Sequence, residues 1–114
     1  MTSERILEFE VDKQRLTKKR SCDFSHIVSG TVGYLKAKFY FSQSEWEGCK
    51  KAASFWIDDK EHAVLLDDDN TCDIPPAALL NDRFSVSVTG LRDSYKITTT
   101  KTKVKQEVRY YGNC

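Results

Sequence analysis

The chain has 114 residues, of which 31% are charged, and its formal net charge is +1. This length predicts a single domain over residues 1–114, and the near-neutral charge argues against non-specific binding of nucleic acid. No apolar run approaches the about 20 residues that cross a bilayer. The N-terminal residues lack the basic-then-apolar order of a signal peptide. We therefore expect neither a nucleic-acid nor a membrane partner, and residence in a cytoplasm.

Alternation of apolar and polar side chains is the dominant pattern along the chain. Apolar residues occupy every second position in three segments: Leu7, Phe9 and Val11; Leu35, Ala37, Phe39 and Phe41; and Phe84, Val86 and Val88. A period of two is typical of a strand with one buried and one solvated face. The pattern predicts a strand at each segment, with a short returning strand at residues 14–17 after the first.

The stretch 33–57 predicts a β-hairpin. Its first run is followed by a polar turn at residues 42–48 and by a second alternating run, in which Phe55 faces inward and Trp56 outward. Two amphipathic strands joined by a polar turn indicate a hairpin. The apolar run 63–66 is expected to add a third strand of the same meander.

The remaining elements complete the predicted fold. Residues 71–74 form a short strand, residues 75–80 form a short helical turn that begins with prolines, and Gly90 ends the valine strand. Residues 95–100 and 103–110 supply the last strands. Seven or eight short strands at regular spacing, with the one helical turn, predict an all-β, antiparallel sandwich.

No motif of catalysis or metal binding is found. The acidic run 67–73 does not fit a calcium-binding EF-hand, because Cys72 and Ala78 stand where glycine and glutamate are required. We expect a solvated hairpin turn, with a calcium site of another kind as the alternative. His26 and His62 have no ligand at metal spacing, and neither a nucleophile elbow nor a phosphate loop is present. We therefore expect no enzymatic activity, no metal and no cofactor.

The four cysteines, Cys22, Cys49, Cys72 and Cys114, include no C-x-x-C pair. Without a signal peptide, free thiols are expected rather than disulfides. Cys49 and Cys72 lie beside predicted strands, where a thiol is a small buried hydrophobe.

Aromatic residues on polar strand faces are the first candidate interface. Tyr34, Tyr40 and Trp56 are expected to form one apolar patch that binds a partner. Trp46 lies in a short turn and is expected to fold over the end of the core. The alternative is a carbohydrate-binding module in which both tryptophans and the tyrosines stack on a glycan.

A basic stripe near the C-terminus is the second candidate interface. Lys101, Lys103, Lys105 and Arg109 fall on one face of the last strand. Such a stripe is typical of a nucleic-acid surface or of an exposed edge strand whose lysines prevent aggregation. The near-zero net charge favours the edge strand. Acidic residues concentrate in 58–73 and basic residues in 96–109, which would also suit a head-to-tail homo-oligomer.

Four segments in a fixed order carry a resemblance to a known family. They are residues 33–42 (GYLKAKFYFS), 46–55 (WEGCKKAASF), 72–79 (CDIPPAAL) and 84–90 (FSVSVTG), the last leading to Ile97-Thr98-Thr99. Over about residues 5–108 the chain resembles the small β-domain of tail and baseplate proteins of phages and prophages of Gram-positive bacteria. It is similar to the N-terminal domain of baseplate upper proteins.

The resemblance implies an Ig-like topology and a structural role without catalysis. The protein would bind other tail or baseplate proteins, or copies of itself. Its place would be the virion tail and, during assembly, the cytoplasm of the bacterial host.

Overall fold

A computed structural model describes residues 4–41, 44–80 and 82–107. Within these ranges the chain forms nine strands and two short 3₁₀ helices. The strands are β1 (Arg5–Asp12), β2 (Arg15–Lys18), β3 (Leu35–Phe41), β4 (Lys50–Ile57), β5 (Lys60–Leu65), β6 (Thr71–Asp73), β7 (Arg83–Arg92), β8 (Tyr95–Thr98) and β9 (Thr102–Lys105). The 3₁₀ helices are Ser44–Trp46 and Pro76–Leu79. The second confirms the predicted helical turn.

The strands are arranged in two sheets. The first has the order β2-β1-β3-β6, and the second has the order β5-β4-β7, with both β8 and β9 pairing with β7. Every pair is antiparallel except β1 with β3, which run parallel with Arg5 opposite Leu35 and Val11 opposite Phe41. The predicted all-β sandwich is confirmed, with this one parallel pair as a departure.

The core lies between the two sheets and uses the faces that the alternation predicts. In the first sheet the inward residues of β1 and β3 are buried, and the rings of Phe9 and Phe39 stack with centroids 5.2 Å apart. In the second sheet Phe55 of β4 packs near Phe84 of β7, with centroids 6.0 Å apart. Burial of these aromatic and branched side chains is the main stabilising contribution.

The predicted hairpin at 33–57 is wrong, because β3 and β4 belong to different sheets. The 3₁₀ helix Ser44–Trp46 lies in the connection that leads from one sheet to the other. The inward residues of the two strands therefore belong to opposite walls of the core. β4 instead pairs with β5 through the turn at Asp58 and Asp59, where Asp58 has a φ of +55°. The hairpin in this region lies one strand later than predicted.

The crossings between sheets follow an immunoglobulin-like order. β3 lies in the first sheet, β4 and β5 in the second, β6 in the first, and β7 to β9 in the second. Immunoglobulin sandwiches alternate between sheets in the same way. No helix in the described ranges is long and apolar enough to cross a membrane.

Strand β7 continues past Gly90 to Arg92, so the prediction that Gly90 ends this strand is wrong. A Cβ atom at this position would lie 2.9 Å from Trp46 Cε3 and 3.1 Å from the Cβ of Cys49. Such distances are shorter than ordinary van der Waals contact. Glycine is therefore needed here because Trp46 packs directly against the strand backbone.

Candidate protein-interaction surfaces

The three predicted interface aromatics do not form one patch, and this prediction is wrong. Tyr34 and Tyr40 fall on the outer face of the first sheet, whereas Trp56 is on the outer face of the second. The expectation depended on β3 and β4 being neighbours in a hairpin. Even Tyr34 and Tyr40 are far apart: Tyr34 immediately precedes β3 and Tyr40 lies near its other end, about 20 Å away at the rise of an extended strand.

Tyr40 is surrounded by charged side chains. Its hydroxyl donates a hydrogen bond to the carboxylate of Glu8 on β1. This bond raises the pKa of Tyr40, since the phenolate would face a carboxylate. The ammonium groups of Lys19 and Lys38 lie 5.2 and 5.5 Å from the ring centroid, within cation–π range. This end of the first sheet therefore presents charge rather than an apolar surface.

Tyr34 has one apolar neighbour on the outer face of the first sheet. It is 46% exposed, and Ile6 of β1 is 44% exposed on the same outer face. Ile6 is opposite Lys36 in the register, so Ile6 and Tyr34 are diagonal neighbours across the β1–β3 pair. Lys36 itself is held by Asp73 at 2.6 Å and Glu4 at 3.4 Å. The hydrogen bond to Asp73 raises the pKa of Lys36. We call Ile6 and Tyr34 the apolar pair.

Trp56 lies over small residues on the second sheet. Its indole N–H donates to the hydroxyl of Ser87 on β7 at 3.0 Å, and the ammonium of Lys101 lies 3.8 Å from its ring centroid. Ser87 and the neighbouring Ser54 are each only 3% exposed, although they point away from the core. Ser54 donates to the carboxylate of Glu61. Trp56 is thus half-buried, with a hydrogen-bonded N–H and a cation over its ring.

The lysine stripe lies on an edge strand, as predicted, but that edge is covered. Lys101, Lys103 and Lys105 are exposed along β9 and the residue before it, and Arg109 lies outside the described residues. The backbone N–H of Thr100 donates to the carbonyl of Gln14 at 2.8 Å, and the hydroxyl of Thr102 donates to the carbonyl of Leu16. These bonds join the β8–β9 edge of the second sheet to β2 of the first. The lysines therefore do not protect a bare edge.

The opposite edge of the second sheet is β5, and in the described ranges it pairs only with β4. Leu65 on this strand is 74% exposed, more than any other large hydrophobic residue in the described ranges. The apolar run 63–66 predicts a strand here, and the structure confirms it. The apolar pattern of this run does not indicate that Leu65 is exposed. A surface depression of about 390 Å³ adjoins the end of β5 and is lined by Cys49, Lys50, Lys51, Leu65, Leu66, Asp67, Asp68 and Asn70.

The acidic run begins with a tight, solvated turn between β5 and β6, as expected, but this turn is not the predicted hairpin, because the two strands belong to different sheets. The carboxylate of Asp67 accepts the N–H of Thr71 at 2.9 Å, and Asn70 adopts a φ of +63°. Hydrogen bonds with the side chains of Asp67 and Thr71 lower the pKa of Asp69. No group of three or more candidate ligands within the described residues could hold a metal ion.

An arginine that the sequence patterns did not single out organises the long loop before β3. The guanidinium of Arg5 donates to the carbonyls of Asp23, Ser25 and His26 at 2.8, 2.6 and 3.2 Å. Ser25 in turn donates to the carboxylate of Asp23 through its hydroxyl at 2.6 Å and its N–H at 2.8 Å, which lowers the pKa of Asp23. His26 Nδ1 lies 2.9 Å from Glu107 Oε2. Arg5 therefore holds this loop against the start of β1.

Cys22, Cys49 and Cys72 are free thiols, as expected, and Cys114 lies outside the described residues. Cys72 is buried on β6, and this burial raises the pKa of its thiol to about 12. It is therefore the small buried hydrophobe that its position predicts. Cys49 is only half-buried.

The six predicted interface residues therefore divide among separate places. Tyr34 and Tyr40 mark two ends of the first sheet, whereas Lys101 joins Trp56 on the outer face of the second. Lys103 and Lys105 follow along the covered edge. No protein-family model matches the chain, and no curated protein matches it either.

Proposed function

We propose that this chain is a structural protein of a bacteriophage or prophage tail or baseplate, and that it acts by binding other proteins rather than by catalysis. Two things support this. The order of four sequence segments resembles the small β-domain of such proteins. The outer face of the first sheet carries the apolar pair in an ordered, exposed position.

The apolar pair is the observation on which the proposal mainly rests. Ile6 lies in β1, which pairs with β3 over seven consecutive positions, and Tyr34 immediately precedes β3, where its carbonyl accepts the N–H of Arg5 at 2.9 Å. Their backbone is therefore fixed before any partner arrives. Val32, in the loop just before, is 69% exposed. Exposed apolar and aromatic side chains on a rigid surface are typical of protein interfaces. A preordered surface also loses less conformational entropy on binding.

The carbohydrate-binding alternative has less support from the described aromatics. Stacking on a sugar needs an open ring face. Trp46 is 1% exposed, and Trp56 has a lysine over its ring and a hydrogen-bonded N–H. Tyr40 has two lysines near its ring. Tyr34 is the aromatic residue that this alternative retains.

Analysis of purified particles tests the proposed function. A strain that carries the gene in a prophage is induced, tails are purified on a density gradient, and the chain is quantified by mass spectrometry. We expect it in the tail fraction at a constant ratio to the major tail protein. The double variant Ile6→Ser/Tyr34→Ser should be depleted from that fraction by about tenfold, the loss that about 1.4 kcal/mol of binding energy produces.

Leu91→Ser is the matched control, since Leu91 is a 53% exposed leucine on the other sheet. It should remain in the tail fraction at the wild-type ratio. Absence of the wild-type chain from washed particles would overturn the virion assignment. Saturable binding of cell-wall oligosaccharides, lost in Tyr34→Ser, would support the carbohydrate alternative instead.

A further inference from the structure

The four sheet edges in the described part of the chain differ in how well they are covered. β6 has only three residues. β2 has four, and β2 and the β8–β9 edge cover each other through the bonds from Thr100 and Thr102. β5 has six residues and pairs only with β4. It is therefore the one long edge that the described residues leave open.

The outward backbone groups of β5 can be read from its register. Lys60 is opposite Ile57 and His62 opposite Phe55, and the N–H of Leu66 donates to the carbonyl of Lys51 at 2.9 Å. The even-numbered residues of β5 thus form backbone hydrogen bonds with β4. In an antiparallel ladder the alternate residues point their N–H and C=O groups the other way. Glu61, Ala63 and Leu65 therefore present a row of donors and acceptors, which is a template for another strand.

The second half of β5 carries exposed apolar side chains and no charged residue that would prevent another strand from pairing with it. Protein edges are commonly shielded by lysine, proline or a bulge. Here Lys60 and Glu61 stand at the start of the strand, while Ala63 is exposed and Leu65 is 74% exposed. An added strand would remove Leu65 from water, which favours binding.

Acidic residues stand at both ends of the edge. Asp58 and Asp59 precede β5, and Asp67 and Asp68 follow it. An antiparallel second copy centred on Ala63 would place the first pair of acids against the second pair of its neighbour. Like charges directly opposite each other are destabilising. A head-to-tail copy is also disfavoured, since the basic β8–β9 edge already bonds to β2.

We infer that the β5 edge binds an extended segment of a different protein, apolar at alternate positions and basic at both ends, which adds a strand to the second sheet. The basic ends would pair with the two acidic turns. The inference rests on the proposed function only in that the segment would belong to another tail protein.

A synthetic peptide tests this edge directly. The probe has two lysines at each end of about six residues of alternating valine and threonine, the usual length of a strand. Fluorescence anisotropy with the full chain should show saturable binding. Leu65→Lys should weaken it by about tenfold or more, because it adds a positive charge and removes the apolar contact. Leu91→Lys, which changes an exposed leucine on the central strand β7, should bind as the wild type does.

Two further peptides separate strand addition from simple charge attraction. One has glutamate in place of every lysine, and the other is N-methylated at alternate residues so that it cannot donate to the edge. Neither should bind. Equal binding of the N-methylated peptide, or no effect of Leu65→Lys, would overturn the inference. Dimerisation of the chain alone that Leu65→Lys abolishes would identify a second copy as the occupant and also overturn it.

The outcome of the peptide-binding experiment does not depend on the outcome of the particle experiment. If the chain is present in purified tails and the lysine-flanked peptide does not bind, the proposed function stands and the edge inference is wrong. If the peptide binds as expected and the chain is absent from tails, the edge inference stands and the virion assignment is wrong.

Discussion

The two tryptophans of this chain lie in opposite kinds of environment, although both follow β3 closely in sequence. Trp46 is 1% exposed at the end of the core, donates to the carbonyl of Lys13 at 2.9 Å, and lies with its ring centroid 5.0 Å from that of Phe41. Trp56 is half-buried outside the second sheet, between Ser87 and Lys101. Both indole N–H groups donate a hydrogen bond, so the two tryptophans differ in what their rings cover. The first closes the interior, and the second covers a polar sheet face.

Replacement of Trp46 by alanine should have the largest effect. The change removes a fully buried ring at the crossing between the sheets and leaves a cavity against Gly90. We expect a loss of about 3–5 kcal/mol in the free energy of unfolding, measured by urea denaturation. A loss as small as that of Trp56→Ala would contradict the assignment of Trp46 to the core.

Gly90→Ala should have the next largest effect. The new methyl group would meet the ring of Trp46 at 2.9 Å and the Cβ of Cys49 at 3.1 Å, so one of these groups or the strand itself must shift. Overpacking of this kind costs about 1–3 kcal/mol.

The matched test for this contact is a double-mutant cycle with Trp46→Leu. The smaller side chain leaves space for the methyl group, so the cost of Gly90→Ala should fall in that background. An unchanged cost would mean that the strain at Gly90 comes from somewhere other than Trp46.

Trp56→Ala should cost less than either change. The variant loses one hydrogen bond to Ser87 and the cover over two serines, which water can then solvate. We expect about 1 kcal/mol less stability and an unchanged β-type circular-dichroism spectrum. Unfolding of this variant would place Trp56 in the core and remove the contrast with Trp46.

The sequence predicts the inward and outward faces of the strands well. Phe39 and Val86 are buried where alternation places them, and Trp46 covers the end of the core as expected. These outcomes follow from local chemistry, since an apolar side chain at every second position has one face to bury. The all-β class follows from the same pattern.

The neighbours of each strand could not be predicted in the same way. Alternation shows which side of β3 and β4 faces inward, and it fits both a hairpin and two opposed sheets equally well. The prediction that Tyr34, Tyr40 and Trp56 form one interface assumed the hairpin, and it is wrong for the same reason. The roles of Gly90 and of the open β5 edge depend on contacts between distant residues, such as Gln14 with Thr100, that no local pattern reveals.

Of the four single changes, Lys101→Ala should have the smallest effect on stability. It tests whether the ring of Trp56 is covered as the contrast with Trp46 requires. Lys101 holds its ammonium over the ring of Trp56, and an exposed contact of this kind is worth at most about 1 kcal/mol. A change that small is difficult to measure by denaturation, so fluorescence is the better measurement. Trp46 is buried, and quenching by neutral acrylamide therefore reports mainly on Trp56.

Removal of the lysine opens one face of the ring, so quenching should increase in Lys101→Ala. Lys105→Ala removes the same charge from the same strand face at a position opposite Arg83 rather than beside Trp56, and its quenching should match that of the wild type. Equal quenching in both lysine variants would mean that Lys101 does not cover Trp56. The ring would then be open for stacking, and the carbohydrate alternative would regain its second aromatic residue.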